Sequence, residues 1–178
     1  VLFRSTVNLE ALAAAQVASV RPLIPAAMFA LPVRDVLAID VTKQDLGKVL
    51  ASKSLQSGMT IKVIGNGIRQ SSPILIENVW VRMQFEQTEG PPLVLMPKAA
   101  ESKLEGFLNI RNGGVELERA VFLPPTGERA ALPKWLVHVE DGDLGLYQCR
   151  LQGPLNTPGR SKGLIRWESK TGNPPARP

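Results

Sequence analysis

A strand–turn–strand pattern that occurs twice between residues 107 and 151 constrains the fold of this chain more than any other feature. The two copies cover 107–122 and 136–151, and their apolar and turn positions match at a constant interval of 29 residues. The matched pairs are Ile110 and Val139, Gly113 and Gly142, Val115 and Leu144, Leu117 and Leu146, Ala120 and Cys149, and Phe122 and Leu151. Six matched pairs at one interval indicate that the same structural unit is repeated.

Each copy alternates apolar and other residues, which places its apolar set on one face of a strand. The dipeptides Asn112-Gly113 and Asp141-Gly142 are typical of turns, because Asn and Gly tolerate a positive φ. One such unit cannot bury its apolar face alone, whereas stacked units can, and repeats of roughly 20–50 residues are typical of solenoids. We therefore predict that matched residues lie above one another in parallel strands about 4.8 Å apart.

A third copy begins at Leu164 and places Trp167 where the second copy has Val139, so Trp167 is expected to point inward. The segments between the copies, 123–134 and 152–163, are rich in Pro and Gly and lack alternation. We predict that both are loops on the same side of the stack. An ordinary sandwich of hairpins is the alternative interpretation of the same residues.

Ahead of the repeat, the pattern predicts one helix and several strands. The predicted helix is amphipathic and covers 43–53, with Thr42 and Asp45 approximating a capping box. Gly47 weakens such a helix by roughly 1 kcal/mol relative to Ala. The predicted strands cover 36–41, 59–64, 74–85 and 93–96. We expect the helix to cover the first end of the stack, where a strand edge and the apolar cross-section would otherwise meet water.

The chain is divided into three parts by its composition. Residues 1–35 are predicted to be an extension or linker, of which 1–5 resemble translated adapter sequence and are left out of the fold prediction. The stacked fold is predicted over 36–172, and 173–178 form a Pro-rich tail. Because the sequence begins with Val rather than Met, we expect a fragment of a longer protein.

The run 45–67, in which a helix leads through a Gly turn into the strand Thr60-Ile-Lys-Val63, resembles the opening of right-handed parallel β-helix proteins of the pectin lyase-like class. The two copies resemble coils of that fold, and the later part is similar to long bacterial β-helix proteins of unknown role. The resemblance covers about 36–169 and implies an all-β, right-handed parallel β-helix with a short N-terminal capping helix. It implies little about function, because this fold carries lyases, glycosidases, adhesins and inert scaffolds.

A second resemblance points to another fold. Asp143, Gly145, Tyr147 and Cys149, at alternate positions, match the tyrosine-corner strand of immunoglobulin domains. Those domains pair this cysteine with one on an earlier strand, and Cys149 is the only cysteine of this chain. An immunoglobulin-like adhesion domain is therefore an alternative that the lone cysteine opposes.

The composition of the chain limits the classes of partner that it is expected to bind. The 21 basic and 16 acidic residues give a net charge of +5, but the excess is spread along the chain and only 5% of residues are aromatic, so no nucleic-acid partner is predicted. No apolar run approaches the roughly 18 residues of a membrane span. Cys149 is predicted to be a small core residue, and one cysteine leaves the compartment open, including an extracellular or cell-surface location.

The candidate binding residues form a column. Asn109, His138 and Arg166 hold the same place in three successive units, each just before a residue predicted to point inward. The three are therefore expected to point outward, where they could contact hydroxyls or carboxylates of a polysaccharide, Arg166 as a bidentate donor. Trp135, at a loop–strand junction, is a candidate for stacking on a sugar ring. The alternative is an exposed polar face without a ligand.

No catalytic residue, cofactor or metal site is predicted. Glu140, Asp141 and Asp143 are clustered, but the neighbouring unit has no acidic residues at the matched places, whereas Ca²⁺ takes six to eight oxygen ligands. His138 is the only histidine, which excludes a two-His metal site.

The sequence therefore predicts a non-catalytic binding or scaffold module of a larger bacterial protein. Polysaccharide is the expected ligand class, and further β-helix coils of the parent chain are expected neighbours. The alternative is the N-terminal fragment of a polysaccharide lyase or glycoside hydrolase.

Overall fold

The structure is a computed structural model that describes residues 35–98, 103–124, 133–153 and 163–170, all within one compact unit, Leu31–Pro178. The predicted extension, apart from Asp35, and the predicted tail lie outside the described residues. The described part contains one helix, α1 (Leu46–Ser52), and thirteen strands. The strands are Val36–Asp40 (β1), Thr60–Gly65 (β2), Ile68–Ser71 (β3), Ile74–Glu77 (β4), Trp80–Gln87 (β5), Val94–Pro97 (β6), Gly106–Arg111 (β7), Gly114–Glu118 (β8), Val121–Phe122 (β9), Trp135–Glu140 (β10), Asp143–Tyr147 (β11), Arg150–Leu151 (β12) and Gly163–Glu168 (β13).

The strands form three parallel sheets. The first sheet has the order β1-β2-β5-β8-β11, the second β4-β7-β10-β13, and the third β3-β6-β9-β12. From β2 onward the chain passes through the third, second and first sheets in constant rotation. Every pairing between described strands is parallel, so the prediction of an all-β parallel fold is confirmed. The immunoglobulin and hairpin-sandwich interpretations, which require antiparallel sheets, are wrong.

The register reproduces the interval found in the sequence. Within the sheets, the matched pairs are direct neighbours: Ile110 and Val139, Val115 and Leu144, Leu117 and Leu146, and Phe122 and Leu151. Val139 in turn neighbours Trp167 of β13. One continuous cluster of buried side chains draws on all three sheets and on α1, so the stacked apolar positions form a single core.

All three connections from the second sheet to the first, and two of the four from the first sheet to the third, turn on one non-glycine residue with a positive φ, while the other two, after β2 and β5, contain Gly67 and Gly90. Between the second and first sheets the non-glycine residues are Asn78, Asn112 and Asp141, with φ of 59°, 48° and 47°, and between the first and third sheets they are Arg119 and Gln148, with φ of 61° and 53°. The predicted turns at Asn112-Gly113 and Asp141-Gly142 are confirmed, with Asn and Asp adopting the left-handed conformation. The predicted single strand 74–85 is wrong, because the chain turns at Asn78.

The third connection, from the third sheet to the second, varies in length. It is short between β3 and β4 and long between β6 and β7, β9 and β10, and β12 and β13. The predicted loops 123–134 and 152–163 therefore leave the same sheet and enter the same sheet, although most of their residues lie outside the described ranges.

Helix α1 packs against β3 and β4, the edge strands of the third and second sheets, and buries Leu46 and Leu50. The N-cap is Asp45 rather than the predicted Thr42, and its carboxylate accepts hydrogen bonds from Lys48 N (3.2 Å), Ser72 N (3.0 Å) and Ser72 Oγ (2.8 Å). Burial would raise the pKa of Asp45, but these hydrogen bonds outweigh it, and the pKa lies below its ordinary value. At seven residues, α1 is far shorter than a membrane span, and no other helix occurs in the described part of the chain.

Gly47→Ala is expected to lower the free energy of unfolding by about 1–3 kcal/mol, the usual range for an overpacked site. In an isolated helix the same change would be favourable by roughly 1 kcal/mol. Here the added methyl group would meet the backbone oxygen of Ser72 and lie 2.8 Å from that of Pro73. Denaturant unfolding measures the change, with the exposed Lys48→Ala as the control. A stabilised Gly47→Ala variant would show that α1 does not pack against the β3–β4 connection.

Candidate functional site

The predicted column on the second sheet exists. Asn109 of β7 neighbours His138 of β10, which neighbours Arg166 of β13. The prediction that all three point to solvent is wrong, however, because Asn109 is 0% and His138 4% exposed. Both side chains are hydrogen-bonded, which allows polar groups to be buried. Of the three, Arg166 alone reaches solvent as predicted, with 37% of its side chain exposed.

Asn109 is engaged with the backbone on all of its amide atoms. Its Oδ1 accepts a hydrogen bond from Gly106 N (2.9 Å), and its Nδ2 donates to Gly106 O (2.7 Å) and to Ile74 O (3.1 Å). These bonds fix the entry to β7 and connect it to β4. Because no donor or acceptor is left facing water, Asn109 contributes to the architecture rather than to a binding surface.

His138 and Arg166 belong to a chain of polar contacts that we call the polar cluster: Glu105, Lys134, Trp135, His138, Arg166 and Glu168. His138 Nε2 and Glu168 Oε1 are 2.6 Å apart, and Arg166 Nη2 donates to Glu168 Oε2 at 2.7 Å. Arg166 Nη1 also donates to Glu105 Oε2 at 3.3 Å, and Lys134 Nζ donates to Glu105 Oε1 at 2.6 Å. The polar cluster therefore joins the loop before β7 to β10 and β13.

The carboxylates of the polar cluster stay ionised. The hydrogen bond from His138 lowers the pKa of Glu168, and Arg166 lowers it further, against a smaller opposing effect of burial. The hydrogen bond from Lys134 likewise lowers the pKa of Glu105. Neither carboxyl group has the raised pKa of a general acid, and His138 is too buried to reach a substrate.

Trp135 is half-buried at the start of β10. The guanidinium carbon of Arg166 lies 5.9 Å from the centroid of its ring, within cation–π range. In the sheet Trp135 lies between Gly106 and Gly163, and a Cβ at Gly163 would lie 2.7 Å from the indole. The neighbouring glycine therefore makes room for the ring. Trp167, predicted to point into the core, is instead 56% exposed, because β13 is the edge strand of the second sheet in the described part of the chain.

The structure also groups residues that sequence reasoning set aside. Glu140 neighbours Glu168 in register and lies two residues from His138, so the three share a face of the second sheet. One ligand atom of each lies within 4.8 Å of the others. The sequence already indicated that the two glutamates lie side by side, since Glu140 and Glu168 both end the matching segments 136–140 and 164–168. Asp141, by contrast, is buried and accepts hydrogen bonds from Ser169 Oγ and Lys170 N, both at 2.9 Å.

A groove on another part of the surface lies between β5 and β9. It has a volume of about 320 Å³, was not revealed by the sequence, and is lined by Phe85, Gln87, Pro92, Leu93, Arg119 and Val121. Its walls are mainly apolar, and Arg119 is ion-paired with Glu118 at 2.9 Å. The groove lacks the several converging polar groups that orient a specific ligand.

The second sheet therefore presents the half-buried indole of Trp135 at the start of β10, the exposed parts of Lys134 and Arg166, and a compact set of one imidazole and two carboxylates. This arrangement can stack on a ring, donate hydrogen bonds to oxygen-rich ligands, or coordinate a cation. No family model, curated protein or solved structure gives a significant match to the chain.

Proposed function

We propose that the chain is a right-handed parallel β-helix in which each turn contributes one strand to each sheet and α1 caps the first turn. The support is the constant rotation of the chain through the three sheets and the parallel register of residues 29 apart. The hand follows from the general rule that connections between parallel strands of one sheet are right-handed in about 98% of cases. The pectin lyase-like class remains the family that this architecture resembles.

We further propose that the module is a non-catalytic binding or scaffold domain and that its ligand is an extended polysaccharide. The single observation that supports the ligand class is Trp135, half-buried beneath Arg166 and next to Lys134. An indole can stack on the apolar face of a sugar ring, and cationic donors can bond its hydroxyl or carboxylate oxygens. The neighbouring parallel strands, about 4.8 Å apart, extend this surface along the stack, which suits an elongated ligand.

The chemistry of the site favours binding over catalysis. Glu105 and Glu168 are each held by cationic partners, and His138 is 5% exposed, so none is poised to exchange a proton with a bound sugar. The alternative, a fragment of a polysaccharide lyase or glycoside hydrolase, places the catalytic groups elsewhere in the parent protein. It predicts bond cleavage, which the experiment below detects.

A glycan array and affinity electrophoresis should show retention by at least one neutral or uronate-containing polysaccharide. Trp135→Ala should weaken the binding by about 30-fold, because truncating an anchoring tryptophan typically costs roughly 2 kcal/mol. Trp80→Ala is the matched control, since Trp80 is also a half-buried tryptophan facing a glycine, but in the first sheet. The thermal unfolding of both variants is measured to separate lost binding from lost structure.

Three outcomes would contradict this proposal. Retention by no polysaccharide would refute the ligand class, and equal losses in the two tryptophan variants would place the binding elsewhere. Release of unsaturated uronate products or of reducing sugars would favour the enzymatic alternative.

A further inference from the structure

We propose that His138, Glu140 and Glu168 form a three-ligand site for a divalent transition metal, of which Zn²⁺ is the representative. His138 and Glu140 project from the same face of β10, and Glu168 projects beside Glu140 from β13. One imidazole nitrogen and two carboxylate oxygens lie within 4.8 Å of one another. Zinc binds such atoms at about 2.0–2.2 Å, so the two glutamate side chains must rotate to bring all three atoms onto one ion.

The histidine is held in place before any metal binds. Its side chain is 5% exposed, and its Nε2 already faces Glu168 Oε1 at 2.6 Å. Coordination uses the Nε2 lone pair, so Nε2 carries no proton in the metal-bound form. Three protein ligands and a remaining position for water match the number of protein ligands in open zinc sites.

Cationic neighbours orient the carboxylates and also limit the affinity. Arg166 donates to Glu168 Oε2, which leaves Oε1 directed at His138. Lys170 Nζ donates to Glu140 Oε1 at 2.8 Å, and Arg111 Nε lies 3.6 Å from Glu140 Oε2. Second-shell bonds of this kind position ligating carboxylates. A bound cation is nevertheless repelled by these three side chains, and Lys170, 61% exposed, is the one that can move away most easily.

The donor set selects the class of metal. One imidazole with two carboxylates suits zinc and the later first-row metals, whereas Ca²⁺ requires six to eight oxygen ligands that this face does not offer among the described residues. Because the site uses one histidine, it is compatible with the single histidine of the sequence. The inference does not depend on polysaccharide binding, and its test uses the metal alone.

Isothermal titration of the full chain with zinc chloride should show one bound ion per chain, and titration with calcium chloride should show none. Glu140→Gln and Glu168→Gln should each weaken zinc binding by at least about 10-fold, since even second-shell changes cost 10- to 100-fold. The matched control is Glu118→Gln, a similarly buried glutamate of the first sheet that is ion-paired with Arg119. Lys170→Ala should strengthen zinc binding, because it removes a competing cation from Glu140.

Lys170→Ala distinguishes this site from adventitious zinc binding, because only a metal bound to Glu140 gains affinity when Lys170 is removed. If zinc binding is absent, or if Glu140→Gln and Glu168→Gln bind zinc as the unaltered protein does, the proposal is overturned. Equal affinity for Ca²⁺ would also overturn it. His138→Gln is tested with these variants, and its circular dichroism shows whether a loss of zinc binding reflects a lost ligand or a lost fold.

Discussion

Val139→Asp is expected to lower the free energy of unfolding by about 3–5 kcal/mol, the usual cost of an uncompensated buried charge. Val139 is 0% exposed, lies in register between Ile110 and Trp167, and belongs to the cluster of buried apolar side chains. The carboxylate would therefore remain without a partner, or would be protonated at a similar cost. Urea denaturation followed by circular dichroism measures the effect.

Val36→Asp provides the matched control for this change. Val36 is also a valine in a strand, but it is 53% exposed at the edge of the first sheet, so the same substitution should cost no more than about 0.5 kcal/mol. Similar losses in the two variants would contradict the assignment of Val139 to a core shared by stacked strands.

Asn109→Ala should lower the free energy of unfolding by about 3 kcal/mol. The substitution removes three hydrogen bonds and leaves Gly106 N, Gly106 O and Ile74 O without their partner at a buried position. Each buried polar group left unsatisfied costs roughly 1–3 kcal/mol, although such costs do not simply add. Denaturant unfolding gives the total loss, and amide hydrogen exchange at Gly106 reports the local one.

The control for Asn109→Ala is Asn66→Ala. Asn66 Nδ2 donates to Glu89 O at 2.6 Å and its Oδ1 accepts a hydrogen bond from Arg69 Nη2 at 3.0 Å, in a partly exposed turn where water can replace the lost bonds. We expect this variant to lose less than about 1 kcal/mol. If Asn109→Ala were equally mild, with unchanged exchange at Gly106, the amide of Asn109 would not be holding the entry to β7.

The stacking of the fold could be predicted from the sequence because matched apolar residues need the same neighbours. Ile110 and Val139 are aligned in register as their shared position required. Strand β3 was missed, since Ile-Arg-Gln-Ser carries one apolar residue and its Ile68 is 65% exposed. The start of α1 was misplaced because Asp45 is held by Ser72, a residue distant in sequence.

The sequence predicted the alignment of the three column residues in the sheet but not the solvent exposure of their side chains. Alternation assigns a residue to a face of a strand, and it correctly placed Asn109, His138 and Arg166 in one column. It does not tell what covers that face. His138 is covered by the carboxylate of Glu168, a long side chain on the neighbouring strand, and Arg166 is tied to Glu105, whose position depends on how the segment before β7 returns to the sheet. Side-chain length and loop geometry therefore decided the exposure.

The unequal lengths of the connections have a practical consequence. The three connections from the second sheet to the first are each two residues long and built on one left-handed residue, such as Asn112, whereas the connection from the third sheet to the second is short in one place and long in three others. Doubling the length of a flexible loop costs only about 0.6 kcal/mol of closure entropy. That edge of the molecule is therefore where a foreign peptide could be grafted for display, in evenly spaced parallel rows.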